Sequence, residues 1–280
     1  MSTATTFLER LGAGTRTLIM GVLNVTPDSF SDGGQFFSAD DAMRHAHDMI
    51  AAGADIIDIG GESTRPGAAP VPVEEEKRRV LPLVEALADT PNVAVSIDSW
   101  KADVAREALA AGAEMVNDVG GLHLDPDMAG TVAEFDAGVC IMHMQGRPQT
   151  MQREPQYDDV IAEIREFLQD GMARAEAAGV DRRKILIDPG IGFGKTLEHN
   201  LTILRRLRDL ASLGPLVLIG TSRKSFLGQI LDVPAAQRTI GSMATVALAI
   251  REGAGVVRVH DVAEAVQTAR VADAICREVA

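Results

Sequence analysis

Eight short runs of almost unbroken apolar residues recur along the chain, and most of the stretches between them have helical periodicity. The runs are Leu18 to Leu23, Ile56 to Ile59, Val93 to Ile97, Met115 to Val119 with polar Asn117 and Asp118 inside it, Val139 to Met142, Ile185 to Ile187, Leu216 to Ile219 and Val256 to Val259. A strand with one wet face alternates, whereas a strand that is apolar throughout is covered on both faces, as in a parallel sheet whose crossovers are helices. After the second run, Val80, Leu81, Val84 and Leu87 share a helix face behind a charge run, Glu74 to Arg79, that reads as solvated. Ser38 followed by Asp41, ahead of Ala42, Met43, Ala46 and Ile50, resembles a capping box, and Ile161, Ile164, Phe167, Leu168 and Met172 form another amphipathic stripe. Ala51-Ala52-Gly53, Ala110-Ala111-Gly112 and Ala177-Ala178-Gly179 each put a glycine where a helix ends in the left-handed conformation.

Eight alternations in 280 residues with no break in composition predict an α/β fold, a (β/α)8 TIM barrel in a single domain over residues 17–280, after an N-terminal lead-in over 1–16. An open doubly wound sheet is the alternative, weakened by the absence of G-x-G-x-x-G after the first run. The composition fits a barrel filled by aliphatic side chains: 46% of residues are hydrophobic but only 4% aromatic, beside 26 glycines. The net charge of -13 argues against nucleic acid or an anionic membrane as partner, so an anionic ligand must meet a local cluster of cations. No apolar run is long enough to span a membrane and the first ten residues lack the order of a signal peptide, which reads as cytoplasmic. Two cysteines, Cys140 and Cys276, give neither a disulfide framework nor a zinc spacing.

In such a barrel the carboxyl ends of the strands converge on the active site. The residues that end the runs are polar: Asn24, Asp58, Asp98, Asn117 with Asp118, His143, Asp188, Ser222 to Lys224, and Arg258 with His260. Asp98, Asn117 and Asp188 offer acceptors to a ring edge rich in N–H donors, and Arg258 and His260, two apart, suit an anion such as a diphosphate. Asn24 and the loop after it offer oxygen to a hard cation such as magnesium. Two look-alikes fail. Gly190 to Thr196 lacks the first glycine of a P-loop, because Pro189 stands there, and Asp125-Pro126-Asp127 lacks the other ligands of a calcium loop and reads as a cap. Lys195 reads as loop-structural, Cys140 as a buried small hydrophobe, and His143 as either a site residue or strand-end packing.

Six segments, in order, resemble the motif set of dihydropteroate synthases: Asn24 to Gly34, Gly60 to Gly67, Met142 to Gly146, Asp188 to Lys195, Ser222 to Ser225, and Arg258 to Asp261. The resemblance implies a barrel that condenses 6-hydroxymethyl-7,8-dihydropterin diphosphate with 4-aminobenzoate, releasing pyrophosphate, and that is a target of sulfonamides. It further implies magnesium and diphosphate on Asn24, diphosphate on Arg258 and His260, and pterin on Asp98, Asn117, Asp188 and Lys224, with Met142 and Phe193 lining the slot and Gly220 beside it. Thr64, Pro66, Ser222 and Phe30 would shape the aminobenzoate site, Arg65 would reach the diphosphate or only solvent, and Asp98, Lys224, Arg258 and His260 would carry the catalysis. Two alternatives stand beside it: a methyltetrahydrofolate:corrinoid methyltransferase on the same barrel, and a Schiff-base aldolase using Lys224. A homodimer is expected, with the last helix's stripe of Val262, Ala265, Val266, Ala269, Ala272 and Ile275 either facing the barrel or serving the partner.

Overall fold

The eight apolar runs are the eight strands of a closed parallel barrel, in a computed structural model that describes residues 5–25, 39–64, 68–148 and 150–277. The strands are β1 (Leu18–Asn24), β2 (Ile56–Gly60), β3 (Ala94–Asp98), β4 (Met115–Asp118), β5 (Gly138–Met142), β6 (Ile185–Asp188), β7 (Leu216–Ile219) and β8 (Ala254–Val259). Each pairs with the next in parallel, and β8 returns to β1 through Leu18 opposite Val256. The open doubly wound sheet is thereby excluded.

A short helix, α1 (Phe7–Arg10), precedes the barrel, and α2 (Ala39–Ala51), α3 (Val73–Leu87), α4 (Ala102–Ala110), α5 (Met128–Glu134) and α6 (Val160–Ala178) follow the first five strands. Then come α7 (Leu197–Arg205) and α8 (Leu207–Ala211), α9 (Ser225–Leu231) and α10 (Thr239–Arg251), and last α11 (Val262–Cys276). Gly53, Gly112 and Gly179 end α2, α4 and α6 with φ of +103°, +109° and +102°, the conformation their sequence contexts predict. The expected capping residue Ser38 lies outside the described residues. The charge run Glu74 to Arg79 proves to be the first turns of α3, and it is not wholly solvated: Glu76 is buried.

Strand side chains alternate between the helices and the barrel interior. Ile19, Ile57, Ile97, Val116, Ile141, Ile187, Ile219 and Val257 join the outer core under the helices. Leu18, Met20, Ile56, Ala94, Met115, Cys140, Leu186, Leu218 and Val256 form a separate cluster inside. Phe7, Leu8 and Leu11 belong to that inner cluster too, so the expected lead-in is a plug that closes the strands' amino end. It fits because β5 begins with Gly138, where any Cβ would lie 2.6 Å from the Phe7 ring.

Candidate active site

Because strand side chains repeat every two residues, the parity that puts Ile56, Ala94, Met115, Cys140, Leu186 and Val256 inside also decides what crowns the barrel. Counting on by twos from this layer gives Asn24, Gly60, Asp98, Asn117, Met142, Asp188, Gly220 and Arg258, one from each strand or just beyond it. Three residues expected in the ring lie elsewhere. Asp58 sits one layer deeper with no exposure; its Oδ1 accepts from Ser96 Oγ at 2.6 Å, and its Oδ2 from Asn117 Nδ2 at 2.9 Å and Arg258 Nε at 2.6 Å. It holds two ring residues rather than a ligand. Asp118 accepts the backbone N–H groups of Gly120 and Leu122, so it caps its own loop, with burial raising its pKa to about 6. His143 points outward against Phe167 of α6 and contacts Lys195 Nζ through Nδ1 at 2.9 Å; burial and that lysine lower it to about 2. His143 is thus packing.

Arg258 is not the loose cation that its sequence position invites. Nε is bound to Asp58 and Nη2 donates to Asp98 Oδ2 at 2.6 Å, leaving Nη1 without a protein partner among the described residues. Burial raises Asp98 to about 7 in spite of Arg258, while the flanking carboxylates hold Arg258 charged. Asn117 spends its nitrogen on Asp58, Asp98 one oxygen on Arg258, and Asp188 one oxygen on Gly190 N–H at 2.7 Å. Asn117 therefore keeps its oxygen, and Asp98 and Asp188 each a second oxygen, with no partner among the described residues. Lys224 donates to the Ile191 carbonyl and lies 4.6 Å from the centre of the Phe193 ring, and burial lowers its pKa to about 8. Gly220 leaves the gap between Lys224 and Arg258: a Cβ there would lie 3.9 Å from Lys224 Nζ and 3.8 Å from Arg258 Cβ.

An apolar slab borders these acceptors. Met142 and Phe193 pack with Val119, Met144, Met151, Trp100 and Leu124 in a cluster apart from both cores; Trp100, Leu124 and Met151 escaped the sequence reading, although Trp100 lies just past the end of β3. The loop bearing Phe193 is built on Gly190, Gly192 and Gly194, all with positive φ. Lys195 beneath it donates to the Phe193 carbonyl at 2.9 Å, a loop-structural role. Asp125 caps α4 through Ala102 N–H, as a cap and not a calcium ligand. Buried Ser222 contacts His260 through its hydroxyl, 3.0 Å from Nδ1, and so orients the imidazole at the mouth. Thr64 stands on the loop after β2, and Phe30, Arg65 and Pro66 lie outside the described residues. Among the described residues no helix is long and apolar enough to cross a membrane.

The model of the family described as "Pterin binding enzyme" matches residues 20–260. Dihydropteroate synthase of Escherichia coli K12 is 50% identical over 256 residues, 91% of this chain and 90% of that one. The solved dihydropteroate synthase of Clostridium difficile, crystallised in the presence of pteroic acid, is 50% identical with a TM-score of 0.89 over 95% of this chain and 99% of its own. That of Xanthomonas albilineans with 4-aminobenzoic acid is 45% identical, with a TM-score of 0.87 over 94% of each chain. With this barrel, this ring and these relatives, the chain belongs to the pterin-binding enzymes as a dihydropteroate synthase, a transferase of the pterinylmethyl group.

Proposed function

We propose that the ring holds the pterin edge-on, its N–H groups donating to the open oxygens of Asp98, Asn117 and Asp188 and its face against Met142 and Phe193. The observation that carries this is the row of three buried acceptors, each with one polar atom held by the protein and its other oxygen without a partner among the described residues. Lys224 stands beside Phe193 at the edge of the slot. The diphosphate then extends toward His260 and Arg258, whose Nη1 would meet charge as it builds on the leaving oxygen.

The reaction breaks the C–O bond between methylene and diphosphate, forms the C–N bond to the aniline nitrogen, and releases one proton from that nitrogen. The pterin ring delocalises the positive charge on the methylene, and the Asp98 carboxylate beside it favours that charge. A weak aniline nucleophile needs position more than activation. Thr64, Ser222, Phe30 and Pro66 are assigned to hold it, and Arg65 to the diphosphate. Sulfonamides carry the same aniline and would compete there.

Three carboxylates (Asp58, Asp98, Asp188) face two cations (Lys224, Arg258), so the mouth has no surplus positive charge for a diphosphate. A divalent cation answers that need. Gly60 leaves a notch where a Cβ would sit 3.4 Å from Asn24 Oδ1, a hard neutral oxygen that fits magnesium shared with diphosphate and water, while Asp98 Oδ2 beside it is held by Arg258. When bound there, magnesium would neutralise leaving-group charge. The reading includes a homodimer: Ile240, Leu248, Val271 and Ile275 are 86%, 56%, 61% and 78% exposed on α10 and α11. The expected stripe of α11 divides: Val262, Ala265, Ala269 and Ala272 are buried on the barrel, whereas Ile275 is one of the exposed residues. A cytoplasmic setting accords with two free cysteines.

The test is pyrophosphate release that requires both the pterin diphosphate and 4-aminobenzoate and is lost on chelating magnesium. In parallel, Asp188→Ala should abolish pterin binding in a calorimetric titration. Near-normal affinity would remove Asp188 from the pterin site.

A further inference from the structure

The loop after β2, which carries Thr64, has both feet on one ammonium. Lys101 Nζ donates to Glu62 Oε2 at 2.5 Å, to the Val71 carbonyl at 2.6 Å and to Glu76 Oε2 at 2.5 Å. Three N–H donors meet three acceptors, so the ammonium is fully spent. Glu62 stands just past the end of β2, while Val71 and Glu76 bracket the start of α3. Lys101 lies three residues beyond Asp98 and is the residue before α4. Arg79 adds a second tie, from Nη1 to the Gly61 carbonyl at 2.9 Å.

The cluster is enclosed: the side chains of Lys101, Glu62 and Glu76 are 12%, 9% and 1% exposed, and burial pushes the Glu76 carboxyl up. Apolar contacts would close a loop without this desolvation, so burying two carboxylates on one lysine points to a need for fixed geometry. Gly61 permits the approach, because a Cβ there would lie 3.0 Å from Glu76 Cγ and 2.9 Å from Val80.

We propose that Lys101 is a positioning residue for the nucleophile: it ties the loop carrying Thr64 to the strand end carrying Asp98, so that the aminobenzoate and the pterin floor keep a fixed separation. This rests on the assignment of Thr64 to the aminobenzoate site. Because a small misplacement of reacting groups costs rate steeply, Lys101→Met should raise KM for 4-aminobenzoate about tenfold and lower kcat, with pterin affinity by calorimetry changed by no more than about twofold. Glu62→Gln, which frees only one foot and leaves Lys101 on Glu76, should move the same KM in the same direction by less. Lys101→Arg should restore most of it. The Glu62→Gln result decides the matter should Lys101→Met not fold. Equal losses for both substrates, or a folded Glu62→Gln with unchanged KM for 4-aminobenzoate, would overturn the clamp. Thr64→Val separates the two ideas. A normal KM for 4-aminobenzoate there, beside a defective Lys101→Met, would overturn the loop's assignment, whereas the reverse pattern would overturn the clamp.

Discussion

Asp58, Asp98 and Asp188 are the same residue type on three barrel strands, yet they do three different things. Asp58 has both oxygens engaged inside the protein, Asp98 shares an arginine, and Asp188 keeps an oxygen open beside Gly190. The free enzyme's pH profile should show the difference. Asp98, raised to about 7, becomes an anionic acceptor only as pH rises through that value, and Lys224, lowered to about 8, loses its charge as pH rises further. The kcat/KM for the pterin diphosphate should therefore climb through about pH 7 and fall through about pH 8. Asp98→Asn should flatten the acid limb, and an unaltered acid limb in that variant would show that another group titrates there. The types and order of these residues were legible in the sequence. Their depth was not, because one layer of barrel separates Asp58 from Asp98, and layer is set by the stagger between strands rather than by any local pattern. The joining of Glu62 and Glu76 by Lys101 escaped for a related reason, since ion pairs at separations of 25 and 39 residues leave no periodic trace.

The strands were legible as elements because both their faces are buried, and the helix ends because glycine alone relieves a left-handed close. α1 was not, since four residues carry too little period to be told from a loop, and only the hollow they fill explains them. The glycines of the β6–α7 loop allow a sharp comparison with those of the helix ends. At Gly190, φ is +67° and a Cβ would sit 1.9 Å from the His143 carbonyl oxygen, whereas at Gly179, φ is +102° and nothing lies within 4 Å. Gly179→Ala should cost only its left-handed strain, about 1–2 kcal/mol by denaturant unfolding. Gly190→Ala should cost clearly more and also weaken pterin binding, because the loop that carries Phe193 and receives Lys224 must shift. Equal costs at the two sites would contradict the close approach.

Across the whole molecule, a surplus of thirteen negative charges coexists with a site for a polyanion because the cations are placed and then rationed. Arg258 is neutralised by its neighbours before any ligand arrives, which leaves the proposed magnesium to meet what remains. The exposed apolar residues lie on the other side of the barrel wall, on helices rather than at the mouth. If the proposed dimer forms through these helices, Ile240→Glu should shift the mass seen in light scattering from dimer to monomer while leaving pterin affinity in place; a monomeric parent chain would overturn the dimer, and a dimeric variant would move the contact elsewhere. Beneath the barrel, Asp273 of α11 accepts from both the backbone N–H and the hydroxyl of Thr17 at 2.8 Å, and Arg277 donates to the Gly14 carbonyl. That hasp brings the first strand's approach and the last helix's exit together on the face opposite the chemistry. The ring of strands thus has no privileged first member: a circularly permuted chain, its old ends joined by a short linker and new ones opened in the exposed turn at Pro91 and Asn92, should rebuild the same mouth.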